Sequence, residues 1–146
     1  MAEYQLLNTT DFVTTLEKEA IINFLMDNLD GYVDSRDNVS KAIEYALSKF
    51  PHQGGFVLIA RIEDEIAGVS VINRTTFEGY FAENILVFLS TKKGVRRQGI
   101  ASELITQSKV YTKGSVMVRL SQDQTMKDLL IKAGFEGDKQ EFILRR

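Results

Sequence analysis

The chain contains no cysteine and one histidine. Without cysteine there are no disulfides, thiolate metal sites or cysteine nucleophiles. The single histidine, His52, excludes a histidine-rich metal centre and leaves a Ser-His-Asp machine with one candidate base. It stands between Pro51 and Gln53-Gly54-Gly55, a turn sequence, and reads as an exposed loop residue. Long apolar runs are also missing. No stretch approaches the roughly 20 residues that a membrane-spanning helix needs, so no membrane partner is expected. Met1-Ala2-Glu3-Tyr4 lacks the basic stretch and apolar run of a secretory signal, and the compartment reads as cytoplasmic by default. Proline occurs once, and the glycines never cluster enough to split the chain. Residues 1–146 are therefore expected to form one domain, long enough to bury a real core.

Hydrophobic residues make up 44% of the chain and charged residues 26%, which is the composition of a globular protein. A net charge of −2 gives no whole-molecule attraction to nucleic acid, and no nucleic-acid partner is expected. The charge is uneven, however. Lys92, Lys93, Arg96 and Arg97 put four positive charges into six consecutive residues.

The N-terminal third has helical periodicity. After a short apolar run at Tyr4 to Leu7, Asn8-Thr9-Thr10-Asp11 offers N-cap oxygens. Phe12, Leu16, Ala20 and Phe24, with Ile21 and Leu25 offset, predict an amphipathic helix ending near Asp30-Gly31. A second helix is expected from Asp34-Ser35, with Val39, Ile43, Ala46, Leu47 and Phe50 as its apolar stripe and Pro51 as its stop. The period then changes. Phe56 to Ile62 and Ile66 to Asn73, joined at Glu63-Asp64-Glu65, predict a β-hairpin. A second turn falls at Thr76 to Tyr80. Asn84 to Leu89 is apolar on both faces and reads as a central strand.

Beyond it, a helix is expected from Gly99 to about Thr112, with Ile100, Leu104, Ile105, Ser108 and Tyr111 inward and Gly114 at its end. A strand at Ser115 to Leu120 follows, then a short helix from Thr125 to Ala133 closed by Gly134. Final strands are predicted at Phe135-Glu136 and Glu141 to Leu144, around an Asp138-Lys139 turn. This order implies a mixed α/β sheet with helices on both faces.

The segment Leu89 to Glu103 carries the chemistry. A buried strand runs into a basic loop and then straight into a helix whose mouth holds Gly99 and Ala101. The first N–H groups of a helix are unpaired and carry about half a positive charge. A small-residue entrance lets an anion approach them closely, and a pyrophosphate uses such a site better than a single carboxylate. The Walker pattern needs Gly-Lys-Ser/Thr, and the dinucleotide pattern needs three glycines near a first strand. Neither is present.

Arg96-Arg97-Gln98-Gly99-Ile100-Ala101 resembles motif A of the GNAT N-acetyltransferases, Arg/Gln-x-x-Gly-x-Gly/Ala. Phe81-Ala82-Glu83, the apolar strand and Val95-Arg96 are spaced as in the histone-acetylating members. Ser115 to Leu120 resembles the family's fifth strand. Asp128 to Phe135 is similar to its late helix ending in Gly-Phe. Element order matches over nearly the whole chain, while the specific motifs cover residues 81 to 135. The resemblance implies a GNAT-like fold: a central, mostly antiparallel mixed sheet of about seven strands, splayed into a V between the fourth and fifth.

It also implies acetyl-CoA as cofactor and N-acetyl transfer as the reaction. Main-chain N–H groups of Arg96, Arg97, Gln98, Gly99, Ile100, Ala101 and Ser102 would hold the pyrophosphate. Main-chain groups at Leu89 and Thr91 would pair with the pantetheine arm, and the N–H near Leu89 would polarise the thioester oxygen. Glu83 matches the position of the general base, with Glu78 in reserve. Gln122 and Gln124 fall where the family often places an asparagine that touches the cofactor.

Leu130 occupies the position where the family often has a tyrosine that protonates the departing thiolate. Either water, Tyr111, Ser121 or Tyr80 supplies that proton, or the domain has lost catalysis and binds acyl-CoA as a regulatory module. The acceptor is a small-molecule or peptide amine. Asp27, Asp30, Asp34 and Asp37, between the first two helices, offer either attraction for a cation or loop solvation and capping. The family often dimerises, so a homodimer is left open.

Overall fold

The computed structural model describes residues 1–29, 35–79, 81–95, 99–118, 124–137 and 142–146. β1 (Glu3–Asn8), β2 (Gly55–Ile62), β3 (Glu65–Arg74), β4 (Asn84–Thr91) and β5 (Val116–Val118) form one sheet in the order β1-β2-β3-β4-β5. The first four strands are antiparallel, and β5 is parallel to β4. β2 and β3 meet in a two-residue turn in which Glu63 (φ 51°) and Asp64 (φ 66°) both adopt positive φ. That geometry matches the twist of the flanking strands.

α1 (Thr15–Asn28) and α2 (Arg36–Ala46) cover one face of the sheet, and α3 (Ile100–Tyr111) covers the other. Ile21, Ile22, Leu25, Val39 and Ile43 press onto Val57, Ile59, Val69 and Val71. On the opposite face Ile100 and Leu104 press onto Leu58, Ala60, Ile72 and Leu86. Each fully buried aliphatic side chain contributes roughly 1.5–3 kcal/mol, so the alternation of faces along β2 and β3 fixes their register firmly. Ser70 and Ser108 hydroxyls satisfy each other at 2.9 Å inside the α3 interface.

The α1 stripe differs from the predicted one. Phe12 and Leu16 are exposed, and Thr14 is the N-cap, accepting the Glu17 N–H at 3.1 Å. Asn8 and Asp11 instead close a turn on themselves: the Asn8 N–H donates to Asp11 Oδ2 and the Asp11 N–H to the Asn8 carbonyl. Side-chain oxygens of this kind serve turns as readily as caps. α2 starts as predicted, with Ser35 capping the Asn38 N–H, but ends at Leu47, short of Pro51, and Phe50 is exposed. His52 is exposed in a turn.

β4 carries one residue more than its neighbour. Val71 pairs with Phe88 and Ile72 with Leu86, so Val87 is a bulge. Because side chains alternate along a strand, the surplus residue reverses the facing. Leu86 packs beneath α3, whereas Phe88 packs beneath α1 and α2.

α4 (Gln124–Lys132) abuts α3 and ends in a Schellman turn. The Phe135 N–H donates to the Leu130 carbonyl and the Gly134 N–H to the Ile131 carbonyl, with Gly134 at φ 97°. Lys109 of α3 donates its ammonium to the Ala133 carbonyl at that end. The late strands are not found among the described residues: 135–137 and 142–146 are irregular, and 138–141 lie outside them. Among the described residues five strands stand where about seven were expected. No helix is long and apolar enough to cross a membrane among the described residues.

Candidate functional site

β4, α3 and β5 form a crossover, which brings two sets of candidate residues to opposite ends of β4. The C-terminal end of β4 meets the mouth of α3. Here Gly99 adopts φ 78°, ψ 6° as N-cap, a left-handed conformation that glycine enters without a Cβ penalty. Among the described residues no side chain caps the helix, and a Cβ built on Gly99 would meet nothing within 4 Å. The first helical bond runs from the Glu103 N–H to the Gly99 carbonyl. The N–H groups of Ile100, Ala101 and Ser102 precede it and are the orphan donors of the helix start. Buried Ile100 and Leu104 anchor the helix beneath them.

The strand end is tied down from the other face. The Ser90 hydroxyl donates to the Asn28 carbonyl, and Asn28 Oδ1 accepts the Lys93 N–H at 3.3 Å. Of the four predicted cations, Lys92 pairs with Glu65 at 3.3 Å. Arg96, Arg97 and Gln98 lie outside the described residues. β4 pairs with β5 through Asn84, Ile85 and Leu86, and from Val87 to Ser90 that edge has no strand partner among the described residues. Leu89 and Thr91 thus stand beside the mouth of α3.

Glu83 lies at the other end of the strand. Leu89 lies six positions further on, and with the Val87 bulge absorbing one step the run is about 17 Å at roughly 3.3 Å per residue. Its side chain lies flat on Gly114, where an added Cβ would come within 2.8 Å of the Glu83 carboxyl carbon. Oε2 accepts the Ser115 N–H at 3.0 Å. Next to it Asn84, buried, donates Nδ2 to the Lys113 carbonyl at 2.7 Å and to the Ser115 carbonyl at 3.2 Å. Together the two side chains clamp the α3–β5 connection onto the first residue of β4. Asn84 was legible only as a polar residue opening an apolar strand.

Around this clamp is a cleft of about 600 Å³, lined by Phe56, Arg74, Glu78, Glu83, Tyr111 and Lys113 among others. Tyr111 stands edge-on to Phe56, with ring centroids 6.1 Å apart. It is half exposed rather than inward. The remaining proton-donor candidates, Ser121 and Tyr80, lie outside the described residues, as does Gln122; Gln124 opens α4. Leu130 is buried. Asp37 pairs with Lys41 at 2.9 Å, Asp27 is exposed, and Asp30 and Asp34 lie outside the described residues. Lys41 is raised above its usual range by its bond to Asp37. Tyr4, on β1 under α3, is pushed up by burial and by the charge of Glu103. No cluster of His, Cys, Asp or Glu able to hold a metal occurs among the described residues.

No protein-family model matches the sequence, and no curated protein matches it. Solved structures do match. A GNAT-family acetyltransferase from Streptococcus pneumoniae TIGR4 superposes with a TM-score of 0.69 at 17% identity, covering 100% of both chains. A transcriptional regulator from Bacillus halodurans C-125 gives 0.69 at 16% identity, over 99% of this chain and 100% of that one. An aminoglycoside N-acetyltransferase in complex with CoA gives 0.66 at 15% identity, over 100% of this chain and 96% of that one. These superpositions show that the chain has the GNAT acetyltransferase fold.

Proposed function

We propose that the chain transfers an acetyl group from acetyl-CoA to a primary amine by direct attack within a ternary complex. The observation that carries this is the mouth of α3, where the orphan N–H groups of the helix start follow a left-handed Gly99 with open space at its Cβ position, beside a β4 edge that has no strand partner from Val87 to Ser90 among the described residues. A pyrophosphate fits that cradle: its charge meets the helix dipole, and glycine leaves room for it. Residues 96–102 would hold the phosphates through the main chain, and Leu89 and Thr91 would align the pantetheine arm. A solved neighbour of the same fold contains CoA.

Acetyl-CoA supplies an activated thioester. The amine nitrogen forms the new C–N bond, the C–S bond breaks, and the electron pair leaves with sulfur. Glu83 takes the amine's proton, directly or through water, and the thiol, with a pKa near 8.5, leaves as a thiolate that water can protonate. An arm laid along the β4 edge from the mouth of α3 follows Ser90 to Val87 and ends where β5 takes up the edge at Leu86. Calorimetry with acetyl-CoA is the test. Micromolar binding that weakens when Gly99 is made bulky supports the proposal, and no heat at millimolar cofactor overturns it.

A second reading has one specific observation in its favour. Leu130 is buried hydrocarbon where the family often has an acid, and a neighbour of the same fold is described as a transcriptional regulator. On that reading the chain binds acyl-CoA without turnover. Release of coenzyme A with a broad amine panel, lost in Glu83→Gln, decides for the enzyme.

A further inference from the structure

α1 ends on a residue that belongs to two elements at once. The last carbonyls of a helix have no intrahelical partners, and the last turn of α1 holds no basic side chain to meet them. Asn28 closes it by other means. Its Nδ2 donates to the Phe24 carbonyl at 2.9 Å, and its own carbonyl accepts the Ser90 hydroxyl from β4. Its Oδ1 accepts the Lys93 N–H at 3.3 Å, at the start of the 3-10 turn Lys93–Val95. The approach to that turn is held on β3 as well, where the Ala67 carbonyl accepts the Lys92 N–H at 2.8 Å. A side-chain amide suits this position because it gives on one side and receives on the other. An aspartate has no donor, and an aliphatic side chain has neither function.

These bonds bridge the two faces of the sheet. Ser90 and Phe88 look toward α1 and α2, whereas Ile100 and Leu104 hold α3 on the opposite face. Gly99, the N-cap of α3, follows the 3-10 turn by four positions. A cofactor with its phosphates at the mouth of α3 and its arm along Val87 to Ser90 occupies the strand edge from the α3 side. An amine then approaches from the face of α1 and α2. Asn28 stands where the segment leading into the phosphate cradle meets the helix on the amine's face.

We propose that Asn28 is a positioning residue that couples the cofactor to the acceptor side while touching neither. Phosphates seated at the mouth of α3 steady the Lys93–Val95 turn, the turn steadies Asn28, and Asn28 steadies the last turn of α1. The effect runs both ways, because two ligands that share one ordering step each lower the other's cost. This coupling rests on the transferase reading for its cofactor, whereas the joint between α1 and the turn stands without it.

The test is amide hydrogen exchange over the full chain, with acetyl-CoA as the probe and calorimetry on the same samples. In the wild type, saturating acetyl-CoA is expected to slow exchange at Leu25 to Leu29 roughly five- to tenfold, the scale of one hydrogen bond. In Asn28→Ala the mouth of α3, from Ile100 to Leu104, should still be protected and the end of α1 should not, with acetyl-CoA bound roughly five- to tenfold more weakly. Asn28→Asp keeps an oxygen for Lys93 but no donor for Phe24. It should retain most of the affinity while the end of α1 exchanges faster. Ser90→Ala removes only the hydroxyl that reaches the Asn28 carbonyl, should reduce the protection passed to α1, and serves if Asn28→Ala does not fold. A residue that merely stabilised the fold would lower the melting temperature of each variant and leave the pattern of protection unchanged. Protection of α1 that persists in Asn28→Ala and Ser90→Ala, or that is absent from the wild type while acetyl-CoA binds, overturns the coupling and spares the transferase reading. No acetyl-CoA binding to the wild type removes both.

Discussion

The Ser115 main-chain N–H points at Glu83 Oε2 from 3.0 Å, so the candidate base also closes the loop that starts β5. The two roles separate chemically. A glutamine at 83 keeps an oxygen to accept that N–H but has no charge with which to take a proton. Glu83→Gln is expected to retain the wild-type melting temperature and to lower kcat by about 10²–10⁴, the usual contribution of general-base catalysis. Glu83→Ala should lose both turnover and stability. Steady-state rates beside thermal unfolding of the two variants check this, and full turnover in Glu83→Gln removes Glu83 from the chemistry.

At Gly99 the obstacle to substitution is conformation, not space. Gly99→Ala places its methyl in the open and costs only the left-handed strain, about 1–2 kcal/mol, or roughly 2–4 °C per kcal/mol for a chain of this size. Gly99→Val adds branched bulk over the orphan N–H groups and should weaken acetyl-CoA at least about tenfold, on the scale of a lost charge-assisted contact. Calorimetry of both variants separates strain from obstruction.

Leu130 is core. Its side chain is buried and its carbonyl closes the α4 Schellman turn. Leu130→Ala should destabilise by about 2–5 kcal/mol through the cavity it leaves. Leu130→Tyr should cost about 1–3 kcal/mol by overpacking and give no gain in turnover, since the buried position would draw the ring into the core. Urea unfolding and initial rates test the two halves of this statement. Faster turnover in Leu130→Tyr would return this position to the chemistry.

Tyr4 makes the fold sensitive to alkali. Burial and Glu103 raise its folded pKa above the ordinary value of 10.0. Its stabilising contribution is therefore complete below pH 10, where both folded and unfolded forms are protonated, and is lost as pH rises through the higher folded value. Denaturant midpoints measured between pH 9 and 11 should fall in the wild type and fall less in Tyr4→Phe. Parallel curves would assign the alkaline loss to other groups.

Much of the site could be read from residue order alone. A glycine after a polar loop and before an apolar stripe announced the mouth of α3, and Gly134-Phe135 announced the end of α4. The start of α1 was misread because Asn8 to Asp11 hold oxygens that suit a cap or a turn, and only the packing of Ile21, Ile22 and Leu25 on the sheet selects the later start. Exposed Phe12 and Leu16 fit the helical period as well as the buried residues do. The Val87 bulge left no trace because Ile85 to Leu89 is hydrocarbon throughout, so a reversal of facing changes no polar pattern. The clamp by Glu83 and Asn84 joins residues about 30 positions apart, beyond the reach of any local signal.

That surplus residue makes the kink in β4 dispensable while its two faces are not. Taking out Val87 alone leaves Leu86 and Phe88 adjacent and so facing opposite ways, in step with Ile72 and Val71, and the Ser90 hydroxyl stays with the end of α1. Smoothing the bulge at the present length would instead swing Phe88 toward α3 and undo the tether that holds the helix mouth beside the strand. Chains of this architecture should therefore be able to shed the extra residue, but not to straighten around it.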